Sequence, residues 1–234
     1  MRKATPIGIV LWLLLALMWS SSYTVIKIGI GTIDPSVLVL GRLLIGSVTI
    51  YCVLRGRGMA LSRGLRHWIS YGVSGLLGSA LPFLLITWAE QWVDSGLASI
   101  LIGAVPVVTL LLASWLVPDE VLRPGTVAGV FGGLCGISLL VGPAALLGLG
   151  SQLTGQLAVV GATACYAIST VYIRRVVTRP ALEMAPGSMI VGTIFIAGVV
   201  AVSGANVTSI DLTFSSLGAV IYLGSGPIDL SCVR

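Results

Sequence analysis

Residues 35–66 read PSVLVLGRLLIGSVTIYCVLRGRGMALSRGLR, an apolar run from Pro35 to Leu54 followed closely by Arg55, Arg57, Arg63 and Arg66. Such a run spans about 30 Å of hydrocarbon as a helix rising about 1.5 Å per residue. A basic cluster directly after it marks the cytoplasmic end of a membrane span. The same unit recurs along the chain. Further apolar runs cover Ile7–Ile28, Trp68–Ala89, Gly96–Val117, Gly125–Val141, Gln152–Ile173 and Leu182–Val202, with a weaker one from Phe214. The expectation is an all-α polytopic membrane bundle with about seven full spans and a partial eighth.

The basic residues fall in every second gap. Arg2 and Lys3 precede the first run, Arg123 follows the fourth, Arg174, Arg175 and Arg179 follow the sixth, and Arg234 ends the chain. The gaps Gly29–Asp34, Glu90–Ser95, Gly142–Ser151 and Ser203–Thr213 hold no Lys or Arg. Positive charge stays inside, so the N-terminus and the basic loops are expected to be cytoplasmic, and Asp34, Asp94 and Gln152 to lie opposite. Lys27 and Arg42 lie within runs and need separate explanations.

Composition supports the same class. With 56% hydrophobic and 9% charged residues and a mean hydropathy of +1.07, the chain has too little polar surface to cover a soluble globule. The net charge of +5 is therefore a topology signal and no nucleic-acid footprint, since no basic patch carries interleaved aromatics. The first run is too long for a signal peptide and lacks a small-residue cleavage site. Cys52, Cys135, Cys165 and Cys232 show no metal or disulfide spacing. His67 sits in a basic loop beside Trp68, where an interfacial role is the simplest reading. One His, no HExxH and no GxSxG disfavour an intramembrane enzyme.

Sliding the chain by 147 residues sets Gly8 on Gly155, Trp19 on Tyr166, Ser22 on Ser169 and Lys27 on Arg174. An odd number of spans separates the copies, so the second runs through the membrane in the opposite sense. That is the plan of inverted-repeat transporters, whose site lies near the midplane between the halves. The repeats read as 1–143 and 144–234. A full second copy would run to roughly residue 290, so about two and a half helices are expected to be missing from it.

Several segments together resemble one family. They are Trp19-Ser20-Ser21-Ser22-Tyr23 through Lys27, the Pro35 to Arg42 spacing, Ala98 to Pro106, Glu120, and Gly155 to Arg175. The combination is similar to the EamA-type members of the drug/metabolite transporter superfamily, and covers nearly everything up to Gly224. The resemblance implies two inverted five-helix repeats around a central cavity. It also implies export of small metabolites or amphipathic compounds by alternating access, in a bacterial inner membrane. From Ser225 onward the sequence departs from that pattern, as a truncated or frame-shifted product would, and the chain as given is expected to transport nothing.

Polar residues within the runs supply the candidate site. Trp19, Tyr23 and Lys27 recur at four-residue spacing with Ser22 beside them, and the repeat mirrors the stripe as Tyr166, Thr170 and Arg174. Such a stripe lines a cavity or forms an interfacial belt with snorkelling cations. Arg42 lies about eight residues into its helix, where an unpaired cation costs several kcal/mol, so it should face protein or water. It either attracts an anionic, carboxylate-bearing substrate or bonds helix carbonyls. The cavity candidates are therefore Trp19, Ser22, Tyr23, Lys27, Arg42, Tyr166 and Thr170. Pro82 and Pro106 are hinge candidates. Glu90 and Asp94 are expected as solvated carboxylates at the outer mouth, with substrate or proton capture as the alternative role, and Asp119 and Glu120 in a cytoplasmic turn, where Glu120 would pair with Arg123 or cap a neighbouring helix. Gly125, Gly129, Gly132, Gly133 and Gly136 suggest close packing within the bundle or, alternatively, an oligomer face. No cofactor or metal is expected. The partners are the bilayer and a small-molecule substrate.

Overall fold

The computed structural model describes residues 6–116, 124–141, 147, 149–177, 180–204 and 214–225. Its helices follow the apolar runs: α1 Pro6–Gly29, α2 Pro35–Gly56, α3 Leu65–Ala89, α4 Ser95–Leu116, α5 Pro124–Val141, α6 Leu153–Val176, α7 Ala181–Ser203 and α8 Phe214–Ser225. Among the described residues, five helices (α2, α3, α4, α6 and α7) are long and apolar enough to cross a membrane. The apolar part of α5, Pro124–Leu139, is shorter. Asp119, Glu120, Arg123, Cys232 and the charged ends of the chain lie outside the described residues.

Helix ends are set by local chemistry. Asp34 accepts a hydrogen bond from the Ser36 amide at 2.8 Å, with Pro35 opening α2, and Asp94 caps α4 through the Gly96 amide at 2.8 Å. At the other end of α7 the chain turns through Gly204 at φ 63°, a left-handed conformation that favours glycine. Prolines deform the interiors. Pro82 has no N–H to give, and α3 widens into a π turn over Leu76–Ala80 just before it, with the Leu81 amide reaching back to the Leu76 carbonyl. Two residues before Pro106, α4 breaks at Ala104, whose amide bonds the Leu101 carbonyl at 3.2 Å.

In the bundle, α7 lies against α2 and α3, α6 against α3 and α4, and α8 against α2 and α1. Ser21 and Tyr222 share a hydroxyl hydrogen bond of 2.6 Å across α1 and α8. One apolar cluster, Ile26, Ile33, Leu38, Ile86, Ala162 and Leu223, joins five of these helices. Outward faces are apolar, with Trp115 88% and Val202 90% exposed, as suits helices that face lipid. The tightest crossing is α3 on α7 at Gly75, where a Cβ would stand 2.3 Å from the Ser188 carbonyl oxygen.

The α5 glycines do not serve the packing expected of them. A methyl at Gly125, Gly129, Gly132, Gly133 or Gly136 would meet nothing within 4 Å among the described residues. The reason is that α5 meets α4 through Leu134 and Ile137, which close on Gly103 and turn the glycine stripe away. These observations predict opposite outcomes for two similar substitutions. Gly75→Ala should lower stability by roughly 1–3 kcal/mol because backbone must move to admit the methyl, while Gly132→Ala should leave it level or raise it slightly. Thermal unfolding of the two variants in detergent checks this.

Candidate functional site

Two ends of the bundle must be distinguished. The basic end carries Arg55, Arg57, Arg63, Arg66, Arg174 and Arg175; the far end carries Asp34, Glu90, Asp94 and Gln152. Near the middle, Trp19, Ser22, Tyr23 and Ile26 of α1 meet Arg42 of α2, Phe83 and Ile86 of α3 and Tyr166 of α6 around one narrow recess. Arg42 is only 6% exposed. Its guanidinium carbon lies 3.8 Å from the Phe83 ring centroid, a cation–π contact. Phe83 in turn stands edge-on to Tyr166, with centroids 6.5 Å apart. The Arg42 Nε has no hydrogen-bond partner among the described residues. Ser22 returns its hydroxyl proton to the Met18 carbonyl at 2.8 Å, so α1 turns a satisfied polar face inward.

Trp19, Phe83 and Tyr166 also form the floor of a larger cavity of about 450 Å³. Its walls include the apolar Ile50 of α2, Ile173 of α6, and Ala181, Met184 and Met189 of α7, with hydroxyls from Ser74 and Ser79 of α3, Ser169 and Thr170 of α6 and Ser188 of α7. These positions all lie between the floor and the basic end, so the cavity extends in that direction. The walls are mostly apolar with scattered hydroxyls, which suits an amphipathic small molecule. The volume is of the order of known ligand pockets, about 300–1,000 Å³.

The far end is arranged differently. Lys27 does not line either space; its ammonium donates to the carbonyl oxygens of Glu90 at 2.5 Å and Val93 at 3.2 Å, tying α1 to the turn between α3 and α4. Glu90 is not the solvated mouth residue that its position suggests. It is 0% exposed, and neither carboxyl oxygen has a hydrogen-bond partner among the described residues. The helical bond from its amide to the Ile86 carbonyl carries α3 one residue further, and α1 covers the corner. Burial pushes the Glu90 carboxyl up from its ordinary value of 4.5 to about 8, with Lys27 opposing and Asp94 adding to the shift. Asp94 itself is exposed at that mouth, as expected, but its carboxylate is occupied in capping α4.

At the basic end, buried Tyr71 donates to the Glu183 carboxylate at 2.7 Å, and the Ser62 amide donates to the same oxygen at 3.2 Å. Sequence reasoning missed Phe83, Glu183 and the burial of Glu90. Phe83 looks like any lipid-facing aromatic, though its place directly after Pro82 marks a deformed turn. Of the hinge candidates, Pro82 is buried beside the π turn and Pro106 is exposed beside the Ala104 break.

The profile of the EamA-like transporter family matches residues 6–142. The chain belongs to that family. It is similar to an uncharacterized transporter, YoaV, of Bacillus subtilis (28% identical over 156 residues, 67% of this chain and 53% of that one). It also resembles an uncharacterized inner membrane transporter, YedA, of Escherichia coli (34% over 97 residues, 41% of this chain and 31% of the relative). A probable terminal-alkyne amino-acid exporter of Streptantibioticus cattleyicolor is 30% identical over 96 residues, 41% of this chain and 32% of its own. The chain thus spans about half the length of these curated relatives, or less. One solved protein structure shares the fold with a TM-score of 0.72 at 24% identity, over 94% of this chain and 74% of that one.

The cavity's position predicts a sidedness for this EamA-family bundle. In a cysteine-free background, a membrane-impermeant thiol reagent should modify Ser188→Cys and Arg63→Cys from the same side and Gln91→Cys from the other. Ile26→Cys, buried beneath the floor, should be protected from both. Labelling of Ser188→Cys together with Gln91→Cys would place the cavity at the wrong end.

Proposed function

We propose that this protein is part or all of a carrier that exports small amphipathic, carboxylate-bearing metabolites across a bacterial plasma membrane by alternating access. Its N-terminus and basic end face the cytoplasm, in line with the positive-inside pattern. Two inverted repeats, with 1–143 in the first and 144–234 in the second, form the moving halves. Matching helix ends and an exchange of helix contacts support the repeat. A shift of 147 residues carries Pro6 to Leu153 and Gly29 to Val176, so the ends of α1 map onto the ends of α6. The same operation exchanges the α1–α8 contact with α6–α3, and the α2–α8 contact with α7–α3, while α2–α7 maps onto itself. Pairwise exchange of contacts is what a pseudo-two-fold axis produces.

The single observation that carries the substrate class is Arg42. A guanidinium in this setting costs several kcal/mol unless something offsets it, and the described residues supply a ring face but no acceptor for Nε. A structural arginine would be saturated by carbonyls. An incoming carboxylate offers the bidentate geometry that the guanidinium lacks, while Trp19, Phe83 and Tyr166 give the apolar body a surface. Cytoplasm-side loading fits the cavity's extension toward the basic end, and export is also the activity named for the Streptantibioticus relative. Opening of the far end would separate Lys27 from its carbonyls, with Pro82 and Pro106 as the flexible points.

In liposomes holding the complete carrier, Arg42→Ala should reduce transport of anionic substrates at least about tenfold per folded molecule, the equivalent of one lost charge-assisted contact of 1.4 kcal/mol or more. Arg42→Lys should retain part of it, keeping charge without the fork. Neutral analogues of the same series should be spared by both changes. Equal rates for wild type and Arg42→Ala, normalised to folded protein, would eliminate the binding role.

A further inference from the structure

The carrier reading leaves the buried Glu90 carboxyl unused, at the far end of the bundle. Glu90 is fully enclosed, and both of its carboxyl oxygens lack hydrogen-bond partners among the described residues. The nearest ammonium, Lys27, is committed to the backbone carbonyls of Glu90 and Val93 rather than to the carboxyl group. An ionised carboxylate in that position would be desolvated without compensation, whereas the neutral acid is tolerated at far lower cost. We propose that Glu90 is a proton-binding site of the carrier, occupied when the seam between α1 and the α3–α4 turn is closed and emptied to water when it opens.

The geometry links the proton to the seam. Because the Glu90 carbonyl is itself an acceptor for Lys27, the movement that breaks the Lys27 tie also brings water to the Glu90 side chain. The charged and titratable groups around it are few. From α1 come Lys27, which favours ionisation, and Tyr23; from the turn comes Asp94, which opposes it. Asp34 lies beyond Trp88, Gln91 and Trp92 in a recess on the far face. On α6 the residues at this corner are Gly155 and Val159, neither of them titratable. Tyr23 also borders the Arg42 recess, so the seam and the proposed substrate site share a side chain.

The sign follows from linkage. The closed state holds the proton up to about pH 8, while a hydrated Glu90 releases it near its ordinary 4.5. Between those values the open state binds fewer protons, so rising pH favours opening by up to about tenfold per pH unit. Below the window both states are protonated and above it both are ionised, so the dependence levels off at either side.

This proposal rests on the carrier reading for its purpose, but its test needs no substrate. Ile86→Cys, whose parent is 5% exposed beneath the seam, serves as the reporter in a full chain free of other cysteines and reconstituted in liposomes. Its modification rate by a methanethiosulfonate reagent is divided at each pH by that of the exposed Gln91→Cys, which cancels the chemistry of the thiol. With Glu90 present, the normalised rate should climb across pH 5 to 8 and then flatten. Glu90→Gln, a permanent mimic of the protonated acid, should hold it at the low-pH value throughout, and Glu90→Asp should restore a slope. A flat profile with Glu90 intact, or an unchanged slope in Glu90→Gln, would overturn the proposal; the first of these needs no variant at 90 to fold. Adding Arg42→Ala should leave the slope in place while removing anion transport, so failure of the substrate reading and failure of the proton site give different results.

Discussion

A guanidinium held at depth in a membrane bundle dictates what its neighbours must be. Arg42 is carried on α2 at a point where lipid contact would be prohibitive, so α1, α3 and α6 close around it. The contact that makes this tolerable is the face of Phe83, whose quadrupole offsets part of the lost hydration without consuming the guanidinium's donors. A carboxylate in place of that ring would satisfy Arg42 more completely. It would also leave nothing for a ligand to gain.

The position of Phe83 depends on a fault in its own helix. Pro82 removes an amide from the ladder, and the backbone absorbs the loss by widening one turn over Leu76–Ala80. A π turn rotates everything beyond it relative to a regular helix. Ser74 before the fault and Ser79 within it face the large cavity; beyond it, Phe83 borders both spaces, Ile86 faces the Arg42 recess, and Glu90 ends the helix buried. In the half of the bundle nearer the basic end, Gly75 marks the opposite requirement, a crossing with α7 so close that no side chain fits.

Much of this was legible in the sequence, because lipid restricts the choices. Helix positions follow from run length, and α1 through α7 begin and end within a few residues of the apolar stretches. Arg42, Trp19, Tyr23 and Tyr166 stood out as polar or aromatic groups in apolar surroundings, and they do converge. What the residues alone could not show depends on rotation about a helix axis and on distance between helices. Glu90 follows the last turn of its run, where a carboxylate reads as solvated, yet one further helical hydrogen bond turns it inward under Lys27. Lys27 continues the stripe of Trp19 and Tyr23 by spacing, but its long stem takes the ammonium out of the cavity to the backbone of the α3–α4 turn. The α5 glycines carry a packing spacing with no partner among the described residues, since spacing describes a face and not what lies opposite it.

The two uncompensated groups, Arg42 and Glu90, are of opposite sign and belong to adjoining helices, but the structure does not pair them. Tyr23 stands within electrostatic reach of both, and the Phe83 ring occupies the guanidinium's face. Direct pairing would stabilise a single arrangement and remove the reason for either group to change partners. Kept apart, each has a deficit that a ligand of a different kind corrects: in the proposed scheme, an anion for Arg42 and a proton for Glu90. A ligand shifts a conformational equilibrium only by its difference in affinity for the two states. Groups left incomplete in one state are where such differences are largest, and here both adjoin α1, whose seam with the α3–α4 turn the proposed carrier cycle must open.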